Sequence, residues 1–366
     1  MRSRKFLVRA GATVVAAAAT VTAVTLGVQD QKATVASAGA ETEADNGVRA
    51  GAVLQDRVAK LRAEQKLPGV IGMARSGNNT QYAASGYGDM FMRVPADPKA
   101  KFRIASNSKA FVATVLLQLE AEGKLSLNDT VDRWLPGLVA ANGNDGRKIT
   151  IRQLLNHTSG LPDYINDLRI SGSYVADINP YRKWDPRDLV KTATSNKALS
   201  APGAEYHYAN TNYILGGLII QAATGHHPAV EVTNRIIKPL GLTDTTYPES
   251  DPKLYGKWLH GYFTIRDISF SNVQVLGAAG AIVSTQGNLA DFTRALASGR
   301  LLPPRSSVSW SRPRPPSAPT ASAWSWRRPR AATRGCTTAP CSATSASGTR
   351  ARTARTRSSW PPTATT

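Results

Sequence analysis

Apolar positions along this chain fall into helical and alternating stretches that stop near Pro303. From Ala52 to Gln65, Val53, Leu54, Val58 and Leu61 share one helical face, and Leu67-Pro68-Gly69 ends the run, which predicts a helix. Val70 to Arg75 and Thr80 to Tyr87 read as two strands around Ser76-Gly77-Asn78-Asn79, a predicted hairpin. Asn107 to Glu122 is apolar on most sides and is closed by Gly123, the pattern of a buried helix with a glycine at its C-terminus. Leu125 to Asp163, with Val131, Trp134, Leu135, Leu154 and Leu155, continues as helices and connections. Further helices are predicted over Pro186–Ser195, Asn212–Thr224, Ala229–Ile237 and Thr285–Ala297, so the middle of the chain is helical.

From Arg305 to Thr366 the pattern breaks down: there is no Leu, Ile, Phe, Met or Tyr, one Val (Val308), and four of the seven Trp. Such a segment cannot bury enough apolar surface to offset the entropy of ordering it, which predicts disorder. Its Trp and Cys content is nonetheless foreign to disordered tails.

The N-terminus carries Arg2, Arg4, Lys5 and Arg9, then an Ala/Val/Thr run to about Val28, then Ala36-Ser37-Ala38-Gly39-Ala40. This is the layout of a secretory signal with cleavage after Ala38 or Ala40, and it predicts a secreted or cell-envelope protein. A membrane anchor is the competing reading, since the run is long enough to span, though only weakly apolar. No cysteine lies near the cleavage site, which excludes a lipid anchor there. The expected organisation is therefore a signal over 1–40, a linker over 41–51, a hydrolase-like domain over 52–303 and a tail over 304–366.

The net charge of +20 suggests nucleic acid until it is divided along the chain. Residues 1–40 carry +4 and residues 305–366 carry +11 from eleven Arg, which leaves +5 for the body. No nucleic-acid partner is expected. Both cysteines, Cys336 and Cys341, lie in the tail, so no disulfide staples the body, and their spacing without further ligands makes no metal site. No cofactor is expected, nor any stable membrane contact once the signal is removed, and the protein is expected to be a monomer.

The candidate chemistry begins at Ser106-Asn107-Ser108-Lys109, a Ser-x-x-Lys at a predicted helix start. That spacing puts Lys109 one turn from Ser106 on the same face. A serine hydroxyl is a weak nucleophile, and a lysine whose pKa is lowered by burial can take its proton. The competing reading of Ser106 is a helix cap. A second match, Ser250-Asp251-Pro252-Lys253, is denied a helix by Pro252. Tyr208-Ala209-Asn210 follows an extended stretch and precedes a helix, so a proton-shuttling phenol and an orienting amide can converge from one turn. Tyr164-Ile165-Asn166 is a competing match in a loop, and either Tyr can equally be a buried aromatic beside a turn-capping amide.

Taken in order, Phe102-Arg103-Ile104-Ala105-Ser106-Asn107-Ser108-Lys109, Leu154-Leu155-Asn156-His157-Thr158-Ser159-Gly160-Leu161-Pro162 and Tyr208-Ala209-Asn210-Thr211-Asn212-Tyr213 resemble the serine β-lactamase and D-alanyl-D-alanine carboxypeptidase superfamily, in its class C-like Tyr-x-Asn branch. The resemblance runs from about Ala52 to Pro303 and includes the stretch from Gly277 to Gly299. It implies an α/β fold, with an antiparallel sheet flanked by helices, an all-helical lobe and a site between them. It implies an acyl-enzyme at Ser106, with Lys109 and Tyr208 moving protons and Asn210 orienting. Its substrates are small peptides ending in D-Ala-D-Ala, β-lactams or esters. By the same resemblance Ser106 opens the buried central helix and His157 is architectural. His226 and His227 are read as diverging on a helix toward solvent.

One family element, a His-x-Gly or Lys-x-Gly on the strand lining the site, has no counterpart here: the last histidine is His260 and the last lysine Lys257. The strands that follow it are missing as well, so the Val70–Tyr87 hairpin is expected to lose partners. The tail is compatible with an out-of-frame translation. Taking the third base of each codon with the first two of the next, Cys336 to Thr344 permits His-Asn-Gly-Ala-Val-Phe-Gly-Tyr, and Ser322 to Trp326 permits Gly-Leu-Glu-Leu.

Overall fold

The computed structural model describes residues 43–176, 179–263 and 266–302. The expected secretory signal and the expected tail fall outside them.

Ten helices occur among the described residues: α1 (Glu43–Glu64), α2 (Ser108–Ala121), α3 (Val131–Trp134), α4 (Ile151–Leu155), α5 (Leu168–Ala176), α6 (Pro186–Thr194), α7 (Thr211–Thr224), α8 (Pro228–Val232), α9 (Gly277–Gly280) and α10 (Gln286–Ala297). The strands are β1 (Gly69–Ser76), β2 (Asn79–Asp89), β3 (Val94–Pro95), β4 (Phe102–Arg103), β5 (Tyr262–Phe263), β6 (Arg266–Asp267) and β7 (Val283–Ser284). All their pairings are antiparallel. The result is the expected α/β arrangement, with a small sheet at one side and a helical body.

The hairpin forms in the expected register, from Gly69 opposite Gly86 to Ser76 opposite Asn79, and β3 adds to the far edge of β2. Among the described residues β1 has no second partner strand. Helix α10 lies beside it instead, where Gln286 Nε2 donates to the Ile71 carbonyl at 3.0 Å and Arg75 meets Asp291 at 2.6 Å. Helix α1 packs on the sheet through buried Val58, but it starts inside the expected 41–51 linker. Asn46 and Gly47 are poor helix formers, yet a glycine within a helix costs only about 1 kcal/mol, which the flanking turns absorb.

Helix α2 is the axis of the core. Phe111, Val112, Val115, Leu116, Leu117 and Leu119 are almost wholly buried along its length. It ends where Gly123 takes a left-handed φ of +68°, as expected of that glycine. Helix α7 packs against α2 at Gly216, where a Cβ would stand 3.4 Å from the Leu116 Cδ1 and 3.7 Å from the Val112 Cγ1. Its Gly217 faces α9 so closely that a Cβ there would stand 2.7 Å from the Ala278 Cβ. The short pair β4–β7 sets Arg103 opposite Val283, which brings the chain entering α2 beside the chain leaving α9.

Two local expectations need correction. The Ala229–Ile237 helix is α-helical only to Val232 and then widens into a π turn over Thr233–Ile237. His226 and His227 lie on the connection before α8 rather than on a helix. Pro228 occupies the first turn, so His227 serves as the cap, its Nδ1 accepting from the Ala229 amide at 3.2 Å, while His226 Nδ1 pairs with Glu231 at 2.8 Å.

Candidate active site

Ser106 stands in a 3-10 turn, Ala105–Asn107, that runs directly into α2, two residues ahead of the first α-helical position. The expectation that it opens the α-helix itself is corrected by that turn. Ala105 holds φ at +47°, a strained conformation for a residue with a Cβ. Ser106 is not a cap: the position before α2 is Asn107, whose side chain donates to the Ile104 carbonyl at 3.0 Å. The Ser106 Oγ instead shares a 2.7 Å hydrogen bond with the Tyr208 hydroxyl and accepts from Lys109 Nζ at 3.1 Å.

Lys109 is buried in the first turn of α2. Its Nζ has three acceptors: Ser106 Oγ, Asn210 Oδ1 at 2.8 Å and the Ala279 carbonyl at 2.7 Å. An ammonium fills all three. Burial brings its pKa down to about 7, opposed by the charge of Asp163. The neutral amine keeps two N–H donors and one lone pair. Neither the Asn210 nor the Ala279 oxygen can donate, so they take the two N–H groups, and the lone pair is left facing Ser106, the one partner with a proton to give.

Tyr208 presents a half-exposed ring over the site, with Lys109 Nζ 5.0 Å from its centroid. Burial pushes its hydroxyl up to about 12, against the stabilising bond from Ser106. The phenol therefore keeps its proton at neutral pH. Asn210 precedes α7 and reaches Lys109 with its oxygen, while its amide nitrogen and backbone N–H both donate to Asp163 Oδ2, at 2.9 and 3.0 Å. Asp163 in turn accepts from the Ile165 amide through Oδ1 at 3.2 Å. Burial raises its carboxyl above the ordinary range, and these hydrogen bonds oppose the rise.

His157 lies behind Tyr208, its ring stacked on the phenol at 4.4 Å. The Ala209 amide donates to His157 Nδ1 at 3.3 Å. Because Asn212 Oδ1 already accepts from Ser159, Asn212 turns its nitrogen to the same Nδ1 at 3.1 Å. Nδ1 is thus unprotonated, and burial drives the imidazole pKa down to about 3. The ring is a neutral strut that supports the Tyr208 turn.

The competing motifs separate cleanly. Tyr164 is fully buried with its hydroxyl donating to the Val275 carbonyl, while Asn166 is exposed. Lys253 lies outside any helix, in an irregular segment whose Pro252 carbonyl accepts from Arg103. All four predicted site residues meet at one point, joined by two participants that the motifs did not single out, Asp163 and the Ala279 carbonyl. Asp163 had a signal, since it directly follows Leu161-Pro162. A backbone carbonyl has none.

A model of the Beta-lactamase family matches residues 54–333, starting just inside the expected domain and running past Pro303. Protein flp of Staphylococcus aureus (strain COL) is 36% identical over 168 residues, 46% of this chain and 32% of its own length. Penicillin-binding protein 4* of Bacillus subtilis (strain 168) is 33% identical over 195 residues, 52% of this chain and 40% of its own. The matched segments thus span well under half of these curated relatives. Among solved structures, a D-stereospecific amidohydrolase from Streptomyces sp. is 36% identical, covers 69% of this chain and 75% of its own, and superposes with a TM-score of 0.64. The D-amino acid amidase of Ochrobactrum anthropi SV3 is 27% identical, with 72% and 73% covered and a TM-score of 0.59.

Proposed function

From this chain's membership of the Beta-lactamase family, to which residues 54–333 assign it, we propose an exported serine hydrolase that forms an acyl-enzyme at Ser106. Its proposed substrates are amide bonds next to a D-amino acid, and among these it is most like a D-alanyl-D-alanine carboxypeptidase. The observation that carries the reading is the simultaneous contact of Ser106 Oγ with Lys109 Nζ and Tyr208 hydroxyl. The substrate class draws on two similar structures, one named for D-stereospecific amide hydrolysis and the other for D-amino acid amides. Export draws on the signal pattern of residues 1–40.

Neutral Lys109 takes the Ser106 proton as Oγ bonds to the substrate carbonyl carbon, and the carbonyl electron pair moves to its oxygen. When that oxygen's lone pair re-forms the C=O, the C–N bond breaks. The departing nitrogen takes the Tyr208 proton, which leaves a tyrosinate and the Lys109 ammonium beside the ester; the tyrosinate then takes a proton from the attacking water, and the ammonium returns one to Ser106 Oγ as it leaves. Water then repeats the sequence against the ester, with the same groups acting in reverse.

Fluorescent penicillin and fluorophosphonate should label the purified chain at Ser106, and S106A should abolish the label. Hydrolysis of D- but not L-amino acid amides, and of an acyl-D-Ala-D-Ala peptide, supports the substrate class. Turnover of esters or β-lactams alone would redirect it. A second reading, a penicillin binder without turnover, is favoured by the lack of any His-x-Gly or Lys-x-Gly after Lys257 and His260. It predicts a label that forms and does not turn over, or non-covalent binding with no label.

A further inference from the structure

The two ends of an asparagine amide are nearly the same size, so packing does not choose which faces a neighbour; hydrogen-bond partners do. For Asn210 one neighbour is ambivalent. The Lys109 ammonium requires an acceptor, but its neutral amine is equally satisfied by a donor. In that flipped arrangement the Asn210 N–H would occupy the lysine lone pair, and nothing would be left to take the Ser106 proton. The other neighbour is not ambivalent. A carboxylate only accepts, and Asp163 Oδ2 receives both the Asn210 amide nitrogen and its backbone N–H. Asp163 is itself held, because it begins the 3-10 turn Tyr164–Asn166 and its other oxygen caps the Ile165 amide.

We propose that Asp163 is a positioning residue that locks the Asn210 amide with its oxygen toward Lys109, keeping the lysine lone pair directed at Ser106. The assignment rests on the acyl-enzyme reading. It adds to that reading a residue which touches neither the nucleophile nor the base: its charge raises the Lys109 pKa, and its positioning role runs through Asn210.

The test is a double-mutant cycle on the full chain with wild type, D163N, N210A and D163N/N210A. D163N is nearly isosteric and can still accept from the Ile165 amide. Its single oxygen cannot also serve the Asn210 side-chain and backbone N–H groups, which Asp163 holds with its other oxygen, so the lock on the Asn210 amide is weakened. Each form is first checked for a cooperative melting transition. Two readouts follow: the fluorophosphonate acylation rate at saturating and subsaturating reagent, and the Lys109 ionisation midpoint from its side-chain NMR shift. D163N is expected to slow the saturated acylation rate by about 10- to 100-fold with reagent affinity unchanged, the scale of a misplaced catalytic group. In the N210A background the same substitution, read above the Lys109 midpoint, should change the rate less than about twofold, and its effect on that midpoint should shrink to the downward shift owed to the lost Asp163 charge.

A D163N loss that persists undiminished beside N210A overturns the proposal, since Asp163 would then act by charge or by fold. So does a D163N chain that acylates like wild type. If wild type itself is never acylated, the acyl-enzyme reading fails. The Lys109 midpoint then still decides the positioning role: coupling between the two sites supports it, and additive shifts refute it.

Discussion

Acylation of Ser106 should track the ionisation of Lys109 more sharply than any other variable, because the lysine ammonium has no lone pair to offer. Burial holds the group at about 7 instead of its ordinary 10.5. Below that midpoint the ammonium predominates and the rate falls with pH; above it the amine predominates and the rate levels off. With one pH unit equal to a tenfold change in the ratio of the two forms, the neutral fraction is about nine-tenths at pH 8 and about one-hundredth at pH 5. Acylation should therefore drop about 10²-fold between those values. Tyr208, pushed up to about 12, stays protonated throughout, and His157, held near 3, stays neutral, so neither adds a limb to the profile. The assay is stopped-time labelling by a neutral fluorophosphonate from pH 5 to pH 10, corrected for reagent hydrolysis. A rate that keeps climbing tenfold per unit from pH 8 to pH 10 would mean the lysine retains its ordinary pKa. A flat profile from pH 5 to pH 9 would mean its proton plays no part, and either result refutes the reasoning.

Tyr208→Phe keeps the ring stacked on His157 but removes the hydroxyl at 2.7 Å from Ser106. Amide hydrolysis should fall about 10²- to 10⁴-fold, while fluorophosphonate labelling, whose leaving group needs no proton, should fall far less. Gly217→Ala drives a Cβ to 2.7 Å from the Ala278 Cβ and should cost about 1–3 kcal/mol in urea unfolding. His157, neutral in the fold, becomes protonated in the unfolded chain as pH drops below 6.5, so it lowers stability progressively from pH 6.5 toward about 3. A His157→Gln variant should show a weaker acid dependence of the melting temperature over that window, whatever its stability at pH 7. Resequencing the gene across codons 300 to 310 should reveal a missing or extra base that restores a His-x-Gly strand; a confirmed continuous frame rejects the out-of-frame proposal for the tail.

Much of this architecture is legible in the sequence because it follows from short-range rules. The Ser76–Asn79 turn and the alternation on both sides set the hairpin register, and Gly123 marks the end of α2 to the residue. The convergence of Ser106, Lys109, Tyr208 and Asn210 is legible for a different reason: each is a side chain within a compact motif, and three motifs in one order are far more specific than any alone. What the sequence hides is of two kinds. Helix α1 runs through Asn46-Gly47, where local propensity argues for a break and cooperative hydrogen bonding outweighs it. The acceptors of Lys109 are hidden because they are matters of geometry, since the Ala279 carbonyl looks like every other carbonyl until β4 and β7 pair.

That geometry also separates what residues 54–302 supply from what they leave open. The proposed proton transfer is local to the Ser106 turn, α2, the Tyr208 turn and α9, and the residues assigned to it lie within the described fold. Stabilising the oxyanion is a separate task, which the resemblance assigns in part to the strand that carries His-x-Gly or Lys-x-Gly. Losing one such donor typically costs about 10²- to 10³-fold in turnover without disturbing the base. A chain lacking that strand should consequently retain the pH dependence set by Lys109 on a much lower rate. Loss of the pH dependence together with the rate would instead show that the strand is needed to hold Lys109 and Tyr208 in register.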